Sequence, residues 1–137
     1  MLQTIKATGK KLVVLSGDSH NAWFNNLKSL DGTSKIGVEF ATSSVTAPGY
    51  ESAGLGSLAS TIDGTVLTSG VNGSGLGLLG DVNYCDTVRR GYLLMTVTTA
   101  SVKGEFVFVD TVKSKTFVSS VGKTVTVAAS NLAATYS

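Results

Sequence analysis

A short apolar segment that ends in a polar turn constrains the fold of this chain more than any other feature. The run Leu12–Leu15 is continuously apolar, and the turn-forming residues Ser16, Gly17 and Asp18 follow it directly. A run of this length that ends at a turn is typical of a buried strand. Because ligand sites in α/β sheets lie beyond the carboxyl ends of such strands, we expect this turn to carry the chemistry.

The later part of the chain has the strongest β pattern, because apolar and polar residues alternate there between short turn segments. Such alternation favours antiparallel hairpins. Beyond Leu12–Leu15, the predicted strands are Ile36–Thr42, Tyr92–Thr98, Val102–Val109, Lys115–Ser119 and Lys123–Ala128, with turns at 99–101 and at Val121-Gly122.

The segments between these strands have weak patterns. Residues 2–8 are compatible with the end of a helix, and the Asn-rich segment Asp18–Leu30 is predicted to be a loop. Glycine and serine dominate residues 51–82, which predicts a long loop with a short helix near Leu55–Ile62. The terminal segment 113–137 is predicted to be a hairpin followed by a frayed tail from residue 130.

Together these elements predict an α+β, β-rich fold in which residues 1–137 form a single domain or part of one. Only 15% of the residues are charged and the formal net charge is +2, so we expect no strong attraction to nucleic acid or to a membrane surface. No apolar run approaches the length of a membrane span. Cys85 is the single cysteine, which excludes an internal disulfide and a zinc-binding cysteine cluster.

The turn itself contains an aspartate and the single histidine of the chain, Asp18 and His20. If the backbone stays extended there, both side chains leave on the same side, where they could bind a divalent or trivalent cation. The ordinary alternative is a turn-forming aspartate beside a hydrogen-bonded histidine. Two ligands are too few for zinc or calcium, so a complete metal site needs residues from elsewhere.

A second motif overlaps this turn. The segment VLSGDS, residues 14–19, resembles the Gly-Asp-Ser nucleophile block of lipase-like esterases, with Ser19 as the nucleophile. A serine nucleophile needs a base within hydrogen-bond reach. The one histidine is its neighbour His20, which on an extended strand points the other way. The sequence therefore offers Ser19 no suitable base.

Three further residues are candidates for contact with a substrate. The guanidinium groups of Arg89 and Arg90 could bind a phosphate, or they could be solvated or paired with carboxylates. Asn21 could hydrogen-bond a ligand, or it could hold the loop in which it lies. The sequence leaves both interpretations open for each residue.

Several blocks in a fixed order resemble the PhoD-like alkaline phosphatase/phosphodiesterase family. Each block is weak alone, but together they cover most of residues 11–128. They are LVVLSGDSHNAW (12–23), VEFATSSVTAPG (38–49), DTVRRGYLL (86–94), VKGEFVFVDTV (102–112) and the terminal hairpin around Val121-Gly122-Lys123.

The resemblance implies the C-terminal part of a metallophosphoesterase-type two-sheet sandwich that hydrolyses phosphomonoesters and phosphodiesters. It implies iron and calcium as cofactors and Asp18 and His20 as the family's last metal ligands. The family's other ligands belong to a preceding region, so we expect the site in this chain to be incomplete and the isolated chain to be inactive. Export of the family implies a periplasmic or secreted parent protein.

The alternative is a non-enzymatic β-rich module. An unpaired sheet edge and an apolar sheet face could form a homo-oligomer or bind another partner.

Overall fold

A computed structural model of the chain describes residues 2–29, 31–56 and 82–137. Within these residues strands are the main regular structure, and the only helices are one of seven residues and one 3₁₀ turn. The elements are α1 (Leu2–Thr8), β1 (Leu12–Ser16), β2 (Ala22–Lys28), β3 (Lys35–Ala41), a 3₁₀ turn (Tyr50–Ala53), β4 (Val82–Asp86), β5 (Arg90–Val97), β6 (Ser101–Val109), β7 (Ser119–Ala128) and β8 (Ala134–Tyr136).

The first sheet has the strand order β1-β3-β2-β4. β1 and β3 are parallel, whereas β2 is antiparallel to both β3 and β4. Since the ends of parallel strands meet at the same sheet edge, Ser16 at the end of β1 pairs with Ala41 at the end of β3. The Thr42 amide also donates to the Ser16 carbonyl at 2.9 Å. The turn after β1 therefore lies beside the loop after β3.

The second sheet is an antiparallel meander in the order β5-β6-β7-β8. β5 and β6 form the predicted hairpin, with backbone and side-chain hydrogen bonds between Thr98 and Ser101 at its turn. The alternation in β6 explains its two faces, because Gly104, Phe106 and Phe108 are buried while Lys103 and Glu105 are half-buried on the other side.

The two sheets pack face to face through aromatic side chains. Phe24 and Phe40 of the first sheet have no exposed surface, and Phe106 of the second sheet is 1% exposed. The Phe40 ring lies 6.3 Å from the Phe106 ring, and Phe106 lies 5.0 Å from Tyr84. Gly104 makes this approach possible, since a Cβ there would lie 2.5 Å from Phe40 Cε1. The β-rich two-sheet prediction is confirmed.

The prediction of a loop over Asp18–Leu30 is wrong, because residues 22–28 form the central strand β2. The error has a physical reason: asparagine is uncommon in strands, and this segment contains Asn25 and Asn26. The Asn25 side-chain nitrogen donates to Glu39 Oε2 at 2.9 Å on the paired strand, whereas its Oδ1 is buried without a hydrogen-bond partner among the described residues.

The prediction of a terminal hairpin with a turn at Val121-Gly122 is also wrong. Residues 119–128 form one strand, and the register with β6 shifts opposite Gly122. Glycine at this position suits a bulge because the Phe108 ring and the Arg89 guanidinium occupy the space of a side chain. The tail from residue 130 is not frayed, since β8 pairs with β7 and Lys35 Nζ donates to the Leu132 carbonyl at 2.7 Å.

The predicted glycine-rich loop over 51–82 overlaps the described part only at its ends. Residues 50–53 form the 3₁₀ turn, and β4 begins at Val82. Residues 57–81, which contain most of the helix expected near Leu55–Ile62, lie outside the described residues. None of the helices in the part of the chain that the structure describes is long and apolar enough to cross a bilayer.

Candidate metal centre

The turn that follows β1 has an unusual backbone. Asp18 and His20 both have positive φ angles, 71° and 60°. The expectation of an extended backbone here is therefore wrong, because each residue lies in the left-handed region. Aspartate and histidine enter that region more readily than most residues, but it still costs about 1–2 kcal/mol for a residue with a Cβ. Two such residues in one turn must be held by their surroundings.

Hydrogen bonds within the turn supply part of this restraint. The Ser19 amide donates to the Gly17 carbonyl at 2.9 Å, and Trp23 Nε1 donates to Ser19 Oγ at 3.1 Å. Ser19 Oγ in turn donates to the Asn21 carbonyl at 3.4 Å. The hydroxyl of Ser19 is thus used inside the turn, and no base contacts it among the described residues, which argues against the esterase interpretation.

His20 is oriented by the loop after β3. Its Nδ1 atom lies 2.8 Å from the carbonyl oxygen of Pro48. A carbonyl oxygen only accepts hydrogen bonds, so Nδ1 carries the hydrogen, and Nε2 of the neutral ring keeps its lone pair. Nε2 makes no hydrogen bond to any residue that the structure describes. A backbone carbonyl on one ring nitrogen and a free second nitrogen is the usual arrangement of a metal-binding histidine.

Asp18 is exposed, and its carboxylate makes no hydrogen bond within the described residues. A carboxylate and an imidazole nitrogen are suitable donors for iron, and a carboxylate is suitable for calcium. Within residues 2–29, 31–56 and 82–137, however, no three His, Cys, Asp or Glu side chains are grouped to hold a metal ion. The residues present therefore fit part of a metal site.

Asn21 is completely buried and connects the two loops. Its amide nitrogen donates to the Ser19 carbonyl at 2.6 Å, and its Oδ1 accepts the Tyr50 amide at 3.4 Å. A side chain with no exposed surface does not contact a substrate in this conformation. The loop-holding interpretation of Asn21 accounts for both of its contacts.

Arg89 is fixed but accessible. Its Nε donates to Asp86 Oδ2 at 2.6 Å, and its guanidinium carbon lies 4.0 Å from the centre of the Phe108 ring. The side chain is still 44% exposed. It borders a cleft of about 420 Å³ that Lys113 and Val112 also line. A guanidinium held in place beside an open cleft is suited to bind an anion.

Arg90 lies in a different environment. Its side chain is 9% exposed and forms an ion pair with Glu51, and Nη1 is 3.5 Å from the Arg89 carbonyl oxygen. Burial lowers the pKa of the Arg90 guanidinium, which nevertheless stays charged because arginine is not deprotonated in proteins. The structure thus brings Asp18 and His20 into one turn, leaves Arg89 at a separate cleft and pairs Arg90 internally.

Sequence patterns predict no role for Pro48 and Glu51, whose contacts reach this turn. The Pro48 carbonyl lies against His20 although 28 positions separate the two residues in the sequence. The role of Glu51 follows only from its approach to Arg90, which is distant in the sequence.

The chain forms a two-sheet β sandwich, and Asp18 and His20 follow the carboxyl end of β1, which is parallel to β3. The chain belongs to the PhoD-like phosphatase family, because the model of that family matches residues 1–106. The match includes Asp18, His20, Asn21, Arg89 and Arg90.

A solved structure of PhoD has the same fold, with a TM-score of 0.68 and 18% sequence identity. The similarity covers 98% of this chain but 24% of the PhoD chain, so this chain spans about a quarter of that protein. Among the curated proteins, none matched the chain.

The backbone of the turn generates a prediction about stability. At most positions alanine is more stable than glycine by about 0.5–1 kcal/mol. At Asp18 the positive φ reverses this order, so we expect Asp18→Gly to be more stable than Asp18→Ala by about 1 kcal/mol. Urea denaturation of the two variants measures the difference. The usual order, with alanine the more stable, would contradict the left-handed backbone at this residue.

Proposed function

We propose that this chain supplies two metal ligands, Asp18 and His20, to a phosphate-ester hydrolase. The observation that carries the proposal is the hydrogen bond from His20 Nδ1 to the Pro48 carbonyl, which leaves Nε2 available as a ligand. Membership of the PhoD-like phosphatase family supports the reaction class. Phosphomonoesters and phosphodiesters are the proposed substrates, and iron with calcium are the proposed cofactors.

The chain's own residues would act by holding and orienting. Asp18 would contribute a carboxylate oxygen and His20 would contribute Nε2, while the Pro48 carbonyl would keep the imidazole in the required tautomer. A bound metal ion would polarise the phosphoryl oxygen and lower the pKa of a water molecule. Because such ions take about four to six or more ligands, the remaining donors must come from outside the described residues.

The cleft beside Arg89 is the proposed site for an anionic part of the substrate. Asp86 and the Phe108 ring hold the guanidinium, so little side-chain entropy is lost when an anion binds. Lys113 adds a second positive charge beside the carboxylate of Asp110, and exposed Val88 and Val112 give the same cleft an apolar portion. Arg90 is not included in this contact, since Glu51 already pairs with it.

The metal-ligand assignment predicts that the His20 imidazole responds to an added metal ion. His20 is the single histidine, so its imidazole signals in NMR spectra report on this site alone. We expect Co²⁺, a paramagnetic substitute for iron, to broaden them. Asp18→Asn should weaken the apparent affinity about 10-fold or more, by analogy with the loss of partners around metal sites.

A matched control is Asp110→Asn, which makes the same change in the loop after β6 and should leave the response to Co²⁺ unaltered. His20 signals that do not change when Co²⁺ is added to the unmodified chain would refute the assignment.

In assays of p-nitrophenyl phosphate with added iron and calcium, we expect turnover by the chain alone to stay near background. Robust turnover would refute the need for further ligands.

If the Arg89 cleft binds anions, removal of the Arg89 guanidinium should selectively weaken anion binding. Hydrogen bonds to charged groups contribute about 1.5–3 kcal/mol, so Arg89→Met should weaken the binding of inorganic phosphate about 10-fold or more, measured by ³¹P NMR titration. Lys103→Met removes the same charge roughly 20 Å away along β6 and should change the affinity less than about 2-fold. Equal losses in both variants would show that phosphate responds to net charge alone.

A second candidate function is self-association. Tyr92, Leu94 and Val121 lie on the outer face of the second sheet and are 45%, 51% and 52% exposed. β5 is at the edge of that sheet, where it pairs with β6 alone among the described strands. These apolar residues share the outer face with the Lys103–Glu105 ion pair, and together with the open edge of β5 they favour pairing with a second copy of the chain.

Self-association predicts that the chain elutes as a dimer in size-exclusion chromatography with light scattering. Leu94→Lys places a charge among the exposed apolar residues and should raise the dimer dissociation constant about 10-fold or more. Val112→Lys makes an equivalent change at an exposed loop residue away from this face and should leave the dimer intact. A monomeric, folded wild-type chain at high concentration would contradict this function.

A further inference from the structure

A series of contacts connects the candidate ligand His20 with the buried Arg90 on the other sheet. His20 Nδ1 donates to the Pro48 carbonyl at 2.8 Å. The next amide, that of Gly49, donates to Glu51 Oε2 at 3.1 Å and to Oε1 at 3.2 Å. The Glu51 carboxylate pairs with the Arg90 guanidinium. Hydrogen bonds and an ion pair therefore link His20 to Arg90 through one peptide group.

The central step is a single peptide group. The Pro48 carbonyl and the Gly49 N–H belong to the same peptide bond, which is planar and rigid. The carbonyl faces His20 and the N–H faces Glu51. Rotation of this peptide breaks both hydrogen bonds at once, so the position of the Glu51 carboxylate determines the direction in which the carbonyl points.

Close packing around Gly49 limits the alternatives. A Cβ at this position would lie 2.6 Å from Asn21 Oδ1, 3.0 Å from the His20 carbonyl oxygen and 3.1 Å from Glu51 Oε2. The peptide thus fits between the turn after β1 and the Glu51 side chain with little room to shift. The arrangement is specific to a residue without a side chain.

Burial holds in place the ion pair between Glu51 and Arg90, which forms the far end of this series of contacts. The Arg90 side chain is 9% exposed and that of Glu51 is 30% exposed. A buried guanidinium without its carboxylate would be left uncompensated, so the pair resists separation. The Gly91 amide also donates to the Ser44 carbonyl at 3.0 Å, which holds the start of β5 against the same loop.

We propose that Glu51 and Arg90 are positioning residues that orient the His20 imidazole through the Pro48–Gly49 peptide. The purpose of this orientation rests on the proposed function, in which Nε2 is a metal ligand. The orientation itself is a property of the protein without metal. It extends the candidate ligand turn to Glu51 in the 3₁₀ turn after β3 and to Arg90 on the opposite sheet.

Tautomer measurement on the full chain tests this assignment directly. In the unmodified protein the neutral His20 ring should carry its hydrogen on Nδ1, visible in long-range ¹H–¹⁵N correlation spectra. Glu51→Gln removes the charge while keeping the shape of the side chain. We expect the Nδ1–H population to fall by about half, because the acceptor carbonyl is no longer held. The apparent affinity for Co²⁺ should fall up to about 10-fold.

Two further variants separate positioning from general stability. Glu105→Gln makes the same change in the Lys103–Glu105 ion pair on β6 and should leave the tautomer unchanged. Arg90→Lys keeps the positive charge but loses the planar guanidinium, so an intermediate shift of the tautomer is expected, and this milder variant serves if Glu51→Gln does not fold.

An unchanged Nδ1–H population in a folded Glu51→Gln or Arg90→Lys variant would overturn the assignment. So would an equal shift in Glu105→Gln. If Co²⁺ fails to affect His20 in the unmodified chain while the tautomer still responds to Glu51→Gln, the metal-ligand proposal fails and the positioning role stands. The two proposals are therefore separately testable.

Discussion

The contact between the Phe40 and Phe106 rings is the interaction on which the rest of the structure depends. It joins two four-stranded sheets, each of which has one face that must be covered to be stable. The contact requires Gly104, because a side chain there would overlap Phe40. Once the sheets are packed, the start of β5 lies beside the loop after β3, and Gly91 bonds to Ser44. The loop after β3 also carries Pro48, which orients His20, so the candidate metal centre depends on the packing of the two sheets.

The regular part of this fold could be predicted from local patterns. β1, β3, β5 and β6 combine apolar runs or clear alternation with good turn residues, and their positions agree with the structure to within about two residues. β2 could not be predicted, because the side-chain nitrogen of Asn25 finds its acceptor on Glu39 of β3. That contact forms only when the two strands pair, so the local sequence around Asn25 does not reveal it.

The same distinction applies to β7 and to the candidate site. Gly122 indicates a turn by composition, but in the sandwich Arg89 and Phe108 occupy its empty side and the strand continues. The turn with Asp18 and His20 was found from sequence because its residues are contiguous. The contacts of Pro48 and Glu51 were not, because they join positions that come together only when both sheets have formed.

Local rules of protein structure are broken mainly around one place in this chain. Asp18 and His20 have left-handed backbones, and Arg90 is a buried cation. Leu132 is the third described residue other than glycine with a positive φ, and it has a structural explanation, since its side chain is 2% exposed in the core and its carbonyl accepts a hydrogen bond from Lys35. Asp18 has no such explanation: it is exposed and its carboxylate is unbonded within the described residues. Glycine would satisfy the same backbone at lower cost. The left-handed backbone and exposed carboxylate of Asp18, beside an oriented imidazole, are the features on which the proposed ligand role rests.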